Sequence, residues 1–203
     1  MLGYDHQVFV SYRRAGEWTG WVKRLFATKL HTFLAAELPG AISIFVDEQI
    51  RAGRAWEVEL NQALDASCLL VPVFMNNYFS SEWCRRELAR MLHREQHLGY
   101  RTPHCNKSLI LPVRISERNF FPDIALSMQD EDFCRFALPH MAETTEVHQH
   151  FDQAMHAFCR TIVRALDDVP DRDADWAKLD GAPFLPRLDP KPFRLTMNPR
   201  LVA

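Results

Sequence analysis

Glycine is scarce in this chain, at seven of 203 residues, and none stands in a GxGxxG or GxxxxGK(S/T) arrangement. Those loops cradle phosphates on backbone N–H groups, so a Rossmann dehydrogenase and a P-loop NTPase are both excluded. Cysteine is sparse and odd in number: Cys68, Cys84, Cys105, Cys134 and Cys159 form no CxxC pair. That pattern reads as reduced thiols in a cytoplasmic protein. Charge of one sign is also lacking, since 24 Lys and Arg against 26 Asp and Glu leave a net charge of −2. No polyanion-binding face follows from it, and no nucleic-acid partner is expected. No apolar run reaches membrane-spanning length, and the opening Met-Leu-Gly-Tyr-Asp-His has neither a basic nor an apolar leader region. Neither export nor membrane insertion is expected.

What is present points to one α/β domain. Four short runs rich in Val, Ile and Phe stand out: Val8 to Val10, Ile42 to Val46, Leu69 to Phe74 and Leu109 to Val113. They are continuous rather than alternating, as in parallel strands buried on both faces. Helical patterns lie between them. From Glu17 to Leu38 apolar residues recur at helical spacing until Pro39-Gly40 stops the run. Trp56, Leu60, Ala63 and Leu64 mark a second helix, and Ser80 and Ser81 are N-cap candidates for a third, ending near Leu98 before Gly99. Phe151, Met155, Phe158, Cys159, Ile162, Val163 and Leu166 form the stripe of a final helix. The stretch holding Phe120, Phe121, Phe133 and Phe136 is the place for a fifth, edge strand.

Alternating strands and helices predict a doubly wound parallel sheet with right-handed crossovers. Binding sites in such sheets lie outside the carboxyl ends of the strands. Here those ends are Ser11-Tyr12-Arg13-Arg14, Asp47-Glu48 and Met75-Asn76-Asn77-Tyr78. Beyond Val169 the composition changes, and half of the twelve prolines fall in the last stretch. Residues 1–168 read as the domain, and 169–203 as an extended C-terminal tail that wraps it or reaches a partner.

Two local patterns carry chemistry. In the third helix Trp83, Cys84, Leu88, Met91 and Leu92 form the apolar stripe, while Glu82, Arg85, Arg86, Arg90 and Arg94 take the opposite face. Glu87 falls inside the apolar stripe. A carboxylate there is costly unless it is paired or used, so it snorkels to solvent, pairs with Arg13, Arg14 or a neighbouring arginine, or serves a reacting centre. Arg13 and Arg14, adjacent at a carboxyl edge, suit a pyrophosphate that guanidinium groups grip in pairs. Arginines there also commonly stay solvated.

Together, Phe9-Val10-Ser11-Tyr12-Arg13-Arg14, Phe45-Val46-Asp47-Glu48 with Ile50 to Arg54 and Trp56, and Ser80-Ser81-Glu82-Trp83-Cys84-Arg85-Arg86-Glu87-Leu88 resemble a Toll/interleukin receptor (TIR) domain. The resemblance spans Tyr4 to Asp168 and is closest through Val113. It implies a flavodoxin-like sheet of about five strands and, in the branch with the Ser/Trp/Cys/Glu signature, cleavage of NAD to nicotinamide plus ADP-ribose or a cyclic variant. By position Glu87 corresponds to the catalytic glutamate, and Tyr12, Arg13, Arg14, Gly53, Trp56 and Trp83 to substrate-binding residues. NAD is then substrate, with no resident cofactor or metal. The implied partners are other TIR domains, through homo-oligomerisation, in signalling or defence. The family's later Phe-Trp box has no counterpart, and Phe133 and Phe136 are the candidates to replace it.

Two other readings compete. A TIR adaptor would act only by association through the loop from Asp47 to Arg54, but has no need of a carboxylate in the apolar stripe. A nucleoside deoxyribosyltransferase would use Glu87 as a nucleophile, but has no need of two arginines suited to a diphosphate. His93 and His97 lack the glutamate spacing of HExxH and read as a solvated helix face. Cys84, although near a helix start where thiols are activated, reads as packing.

Overall fold

The computed structural model describes residues 3–14, 16–46, 56–138 and 146–192. Five strands, β1 (His6–Tyr12), β2 (Ile44–Val46), β3 (Ser67–Phe74), β4 (Val113–Arg114) and β5 (Glu131–Asp132), form one parallel sheet in the order β2-β1-β3-β4-β5. This is the expected doubly wound α/β architecture. The four apolar runs supply the first four strands, and the fifth lies in the phenylalanine-rich stretch. The chain steps from β1 outward to β2 and back across to β3, so the crevice between β1 and β3 is where the winding reverses.

β1 and β3 are almost wholly buried, and their ladder runs from His6 opposite Ser67 to Tyr12 opposite Val73. The fourth run is much less regular than its composition suggests. Leu70 exchanges hydrogen bonds with Leu109 and Leu111, and the ladder resumes only at Val73 and Val113. Pro72 explains the gap: two residues beyond Leu70, it faces β4 with no N–H to donate. At the far edge, Arg114 pairs with Asp130 and Asp132, placing charge on a strand too short to recruit another.

The first helical stretch is α1 (Gly16–Gly20), a π-helical segment (Trp21–Phe26) and α2 (Ala27–Glu37), where the periodicity predicts one continuous α-helix. In the wide turn the Ala27 N–H donates to the Val22 carbonyl five residues back. The wider turn aligns residues five apart, so Trp21 and Phe26 stack at 5.6 Å, and the Trp21 indole N–H reaches the Phe136 carbonyl at 2.9 Å. α2 packs on α6 (Glu146–Asp167), while α3 (Trp56–Asp65) and α4 (Glu82–His97) pack on β1 and β3. The short α5 (Asp123–Leu126) follows β4.

Residues 168–192 wrap the domain, but they are not simply extended. They contain two 3-10 segments, Ala174–Lys178 and Leu185–Leu188, and bury Trp176, Phe184 and Leu188. This strap changes the reading of α4. Arg94, placed by the pattern on the face opposite the apolar stripe, is 3% exposed. Its guanidinium lies 4.2 Å from the Trp176 ring centre and donates to the Ser67 and Leu64 carbonyls. Gly181 seats the strap on α4: its φ is +78°, and a Cβ there would come within 2.5 Å of the Ala89 and Arg90 backbone. Asp189 pairs with Arg85, and Lys191 with Asp123.

Candidate functional site

α4 begins where Ser81 caps it, the hydroxyl accepting from the Cys84 N–H at 3.4 Å. Such a cap satisfies an otherwise orphaned donor and fixes the first turns, which bring Glu87 over the carboxyl end of β1. Glu87 is 8% exposed. The Ser11 hydroxyl donates to Glu87 Oε2 at 2.5 Å, and the Tyr78 hydroxyl lies 2.7 Å from Ser11 Oγ. Tyr78 also reaches the Cys84 carbonyl at 3.2 Å. Because Ser11 gives its proton to the carboxylate, its oxygen is open to the Tyr78 O–H. Burial first, then the nearby Cys84 and Glu87, raises the Tyr78 phenol well above its usual range; it remains a donor. The result is a hydrogen-bonded chain linking Tyr78, Ser11 and one oxygen of Glu87.

Outside this chain lies an aromatic rim. Trp56, which opens α3, and Trp83, one turn before Glu87, meet edge to face with centres 4.5 Å apart at 80°. Arg14 lies 5.7 Å over Trp56, and Arg86 lies 5.0 Å over Trp83. Both contacts are cation–π in kind. Of the residues expected at the site, the structure therefore brings Arg14, Trp56 and Trp83 together beside the helix turn of Glu87. Tyr12 is buried at the end of β1 opposite Val73, and Arg13 follows it half-exposed. Gly53, with the whole loop from Asp47 to Arg54, lies outside the described residues.

Ser11 and Tyr78 were visible only as members of two strand ends. Nothing in their spacing linked them, since 67 residues separate them and only the β1–β3 register brings them together. Cys84 is buried in the core, as the stripe predicts. Phe133 and Phe136 are core residues: both are buried and pack with Phe151.

A doubly wound sheet with a buried carboxylate and an aromatic, arginine-bearing rim at its reversal point defines a class of α/β cleft protein. Comparison narrows the class: the TIR-domain family model matches residues 8–138, and the chain belongs to the TIR-domain family. It is 31% identical over 87 residues to disease resistance protein RPS4 of Arabidopsis thaliana, covering 43% of this chain and 6% of that protein. It is 34% identical over 95 residues to disease resistance protein RPV1 of Vitis rotundifolia, covering 47% of this chain and 6% of that protein. The chain thus spans only a small part of these curated relatives. Among solved structures, it aligns with the TIR domain of the Toll-related receptor TRR-2 from Hydra magnipapillata at 18% identity. That alignment covers 76% of this chain and 98% of the other, with a TM-score of 0.48. Among the described residues no helix is long and apolar enough to cross a membrane.

Proposed function

We propose that this TIR domain is an NAD glycohydrolase in which Glu87 acts at the nicotinamide riboside bond. The observation that carries the reading is the buried Glu87 carboxylate, held by Ser11 at the carboxyl edge of the sheet. A carboxylate packed in an apolar stripe has an energetic cost that ion-free packing would avoid, and here it stands where α/β sheets bind ligands.

The chemistry needs little more. Nicotinamide in NAD is a cationic leaving group that departs neutral with the electron pair of its bond to C1′, so no general acid is required. Positive charge develops on the ribose, and a fixed carboxylate stabilises it. Water then adds to C1′ and loses a proton, giving ADP-ribose; attack by another group of the same molecule gives a cyclic product. Arg13 and Arg14 are assigned to the diphosphate, which suits guanidinium geometry. Trp56 and Trp83 offer ring faces and edges to a base or ribose.

In this reading self-association with further TIR domains completes or activates the site, and the role is in signalling or defence, as the names of the plant relatives suggest. The test is nicotinamide release from NAD by the wild type and Glu87→Gln at low and high protein concentration. Release by wild type that rises faster than protein concentration and falls at least a hundredfold in Glu87→Gln supports the proposal. Equal release by the two proteins sinks the role of Glu87. A folded wild type with no turnover at any concentration favours a TIR adaptor acting by association alone.

A further inference from the structure

A cavity of about 510 Å³ opens at the amino ends of β4 and β5, on the opposite edge of the sheet from Glu87. Its origin is the short fifth strand. β5 joins β4 only from Glu131 onward, so the segment just before β4 has no strand beside it, and Phe158 and Thr161 of α6 close the hollow from the other side. The volume falls within the range of about 300–1,000 Å³ usual for small-molecule sites.

Side chains already satisfy the bare backbone edge. The Ile110 N–H donates to Glu95 Oε1 at 3.1 Å and Ser108 Oγ at 3.0 Å, and its carbonyl accepts from Ser108 at 2.8 Å. A peptide strand therefore finds no free main-chain partner here, and a ligand must be held by side chains.

Arg101 supplies a fixed donor. Glu95 accepts from its Nε at 2.8 Å and from its Nη2 at 3.3 Å, and Ser108 accepts from Nη2 at 2.6 Å. Among the described residues Nη1 has no partner, and it is not enclosed. The Glu95 side chain, 2% exposed, balances the Arg101 charge, so the guanidinium offers N–H groups rather than a free positive charge. The charge left on the lining is that of Glu131, which is exposed and forms no ion pair among the described residues. Ser127 and Thr161 give their hydroxyl protons to the carbonyls of Ile124 at 2.8 Å and Ala157 at 3.4 Å, which leaves lone pairs for the cavity. One fixed donor, one carboxylate and acceptor oxygens beside half-exposed Leu111 complement a cation and disfavour an anion.

We propose that this cavity binds a small cationic amine bearing a carbonyl group and an apolar body: the ammonium on Glu131, the carbonyl on Arg101 Nη1, the body against Leu111. The site is separate from the Glu87 cleft and stands whether or not the chain cleaves NAD.

The test is ligand-observed NMR and calorimetry on the full chain at about pH 6, where an α-amine is protonated. Leucinamide carries all three groups. N-acetylleucinamide removes the charge, 3-methylbutylamine removes the carbonyl, and leucine puts a carboxylate in its place. Leucinamide binding at least tenfold tighter than each of these supports the proposal. Glu131→Gln weakens that binding at least tenfold at an unchanged thermal midpoint, and Leu111→Ala weakens it at least threefold. Glu87→Gln and saturating NAD leave it unaltered. No binding of leucinamide at millimolar concentration overturns the site, as does equal binding of any of the other three compounds or undiminished binding by Glu131→Gln. Displacement by NAD overturns its placement at the amino edge.

Discussion

The Ser11 hydroxyl donates to the Glu87 carboxylate at 2.5 Å, joining the last turn-facing residue of β1 to α4. Hydrogen bonds to charged groups contribute about 1.5–3 kcal/mol, and this one also fixes which way the carboxylate faces. On the proposed function, Ser11→Ala is expected to lower kcat for nicotinamide release roughly 10- to 100-fold with a smaller change in KM. Tyr78→Phe acts through Ser11 and is expected to cost less. Steady-state kinetics on both variants check this; an unchanged Ser11→Ala would detach the hydroxyl from catalysis.

The strap over α4 is expected to be indispensable to the fold. Trp176, Phe184 and Leu188 are buried, and fully burying such side chains contributes roughly 1.5–3 kcal/mol each, against a typical total stability of about 5–15 kcal/mol. A chain ending at Asp168 should therefore be largely unfolded or aggregated. Trp176→Ala should cost about 3–5 kcal/mol, since it also uncovers Arg94. Gly181→Ala combines a left-handed backbone with overlap on Ala89 and Arg90, and should cost more than the roughly 1–3 kcal/mol of the backbone alone. Urea denaturation followed by circular dichroism reads all three.

Thiol reactivity should separate the cysteines. Cys68 and Cys159 are buried, and burial pushes each thiol up to about 12. Cys134 is half-exposed, yet burial and then its contact with Asp132 raise it to about 11. Since the thiolate is the nucleophile, maleimide at pH 8 should label half-exposed Cys105 first, Cys134 more slowly, and Cys68, Cys84 and Cys159 only on unfolding. Mass spectrometry of peptides over a labelling time course gives the order. Raised thiols also set the alkaline limit: above about pH 9 the unfolded chain loses protons that native Cys68 and Cys159 keep, so stability falls as pH rises.

His6 contributes at the acid limit. Burial lowers its pKa, with Asp5 opposing, and its ring contacts Ser43 Oγ at 2.7 Å and Phe45. Below about pH 6.5 the unfolded chain binds a proton that the native ring still refuses. Stability therefore falls with decreasing pH until the lowered native pKa is passed, and His6→Gln should flatten that limb. Chemical denaturation from pH 5 to 7.5 measures the slope.

Much of this was legible in the chain. Continuous apolar runs marked β1 and β3 because strands buried on both faces leave no room for alternation. Glu87 stood out because it broke a helical stripe, and it is indeed a buried carboxylate. Less legible was anything set by contact between distant segments. Arg94 occupies a polar helix position that only the strap, some eighty residues later, turns into an interior. Ser11 and Tyr78 meet through strand register, which no local spacing encodes. Pro72, inside the unbroken β3, withholds an N–H from the facing run Leu109 to Val113, whose composition alone predicts a full strand.

The β1–β3 ladder extends from His6 to Tyr12, whereas β4 and β5 have two residues each. Local opening is easiest where few buried backbone hydrogen bonds hold a segment, and hardest in core strands. In amide hydrogen exchange the sheet should therefore open from β5 inward, with Val8 to Val10 and Leu69 to Val71 protected until global unfolding. The footing of Ser11, and through it the orientation of Glu87, belongs to the slowest-exchanging part of the molecule. Rearrangement along the β4–β5 edge can occur without disturbing that footing.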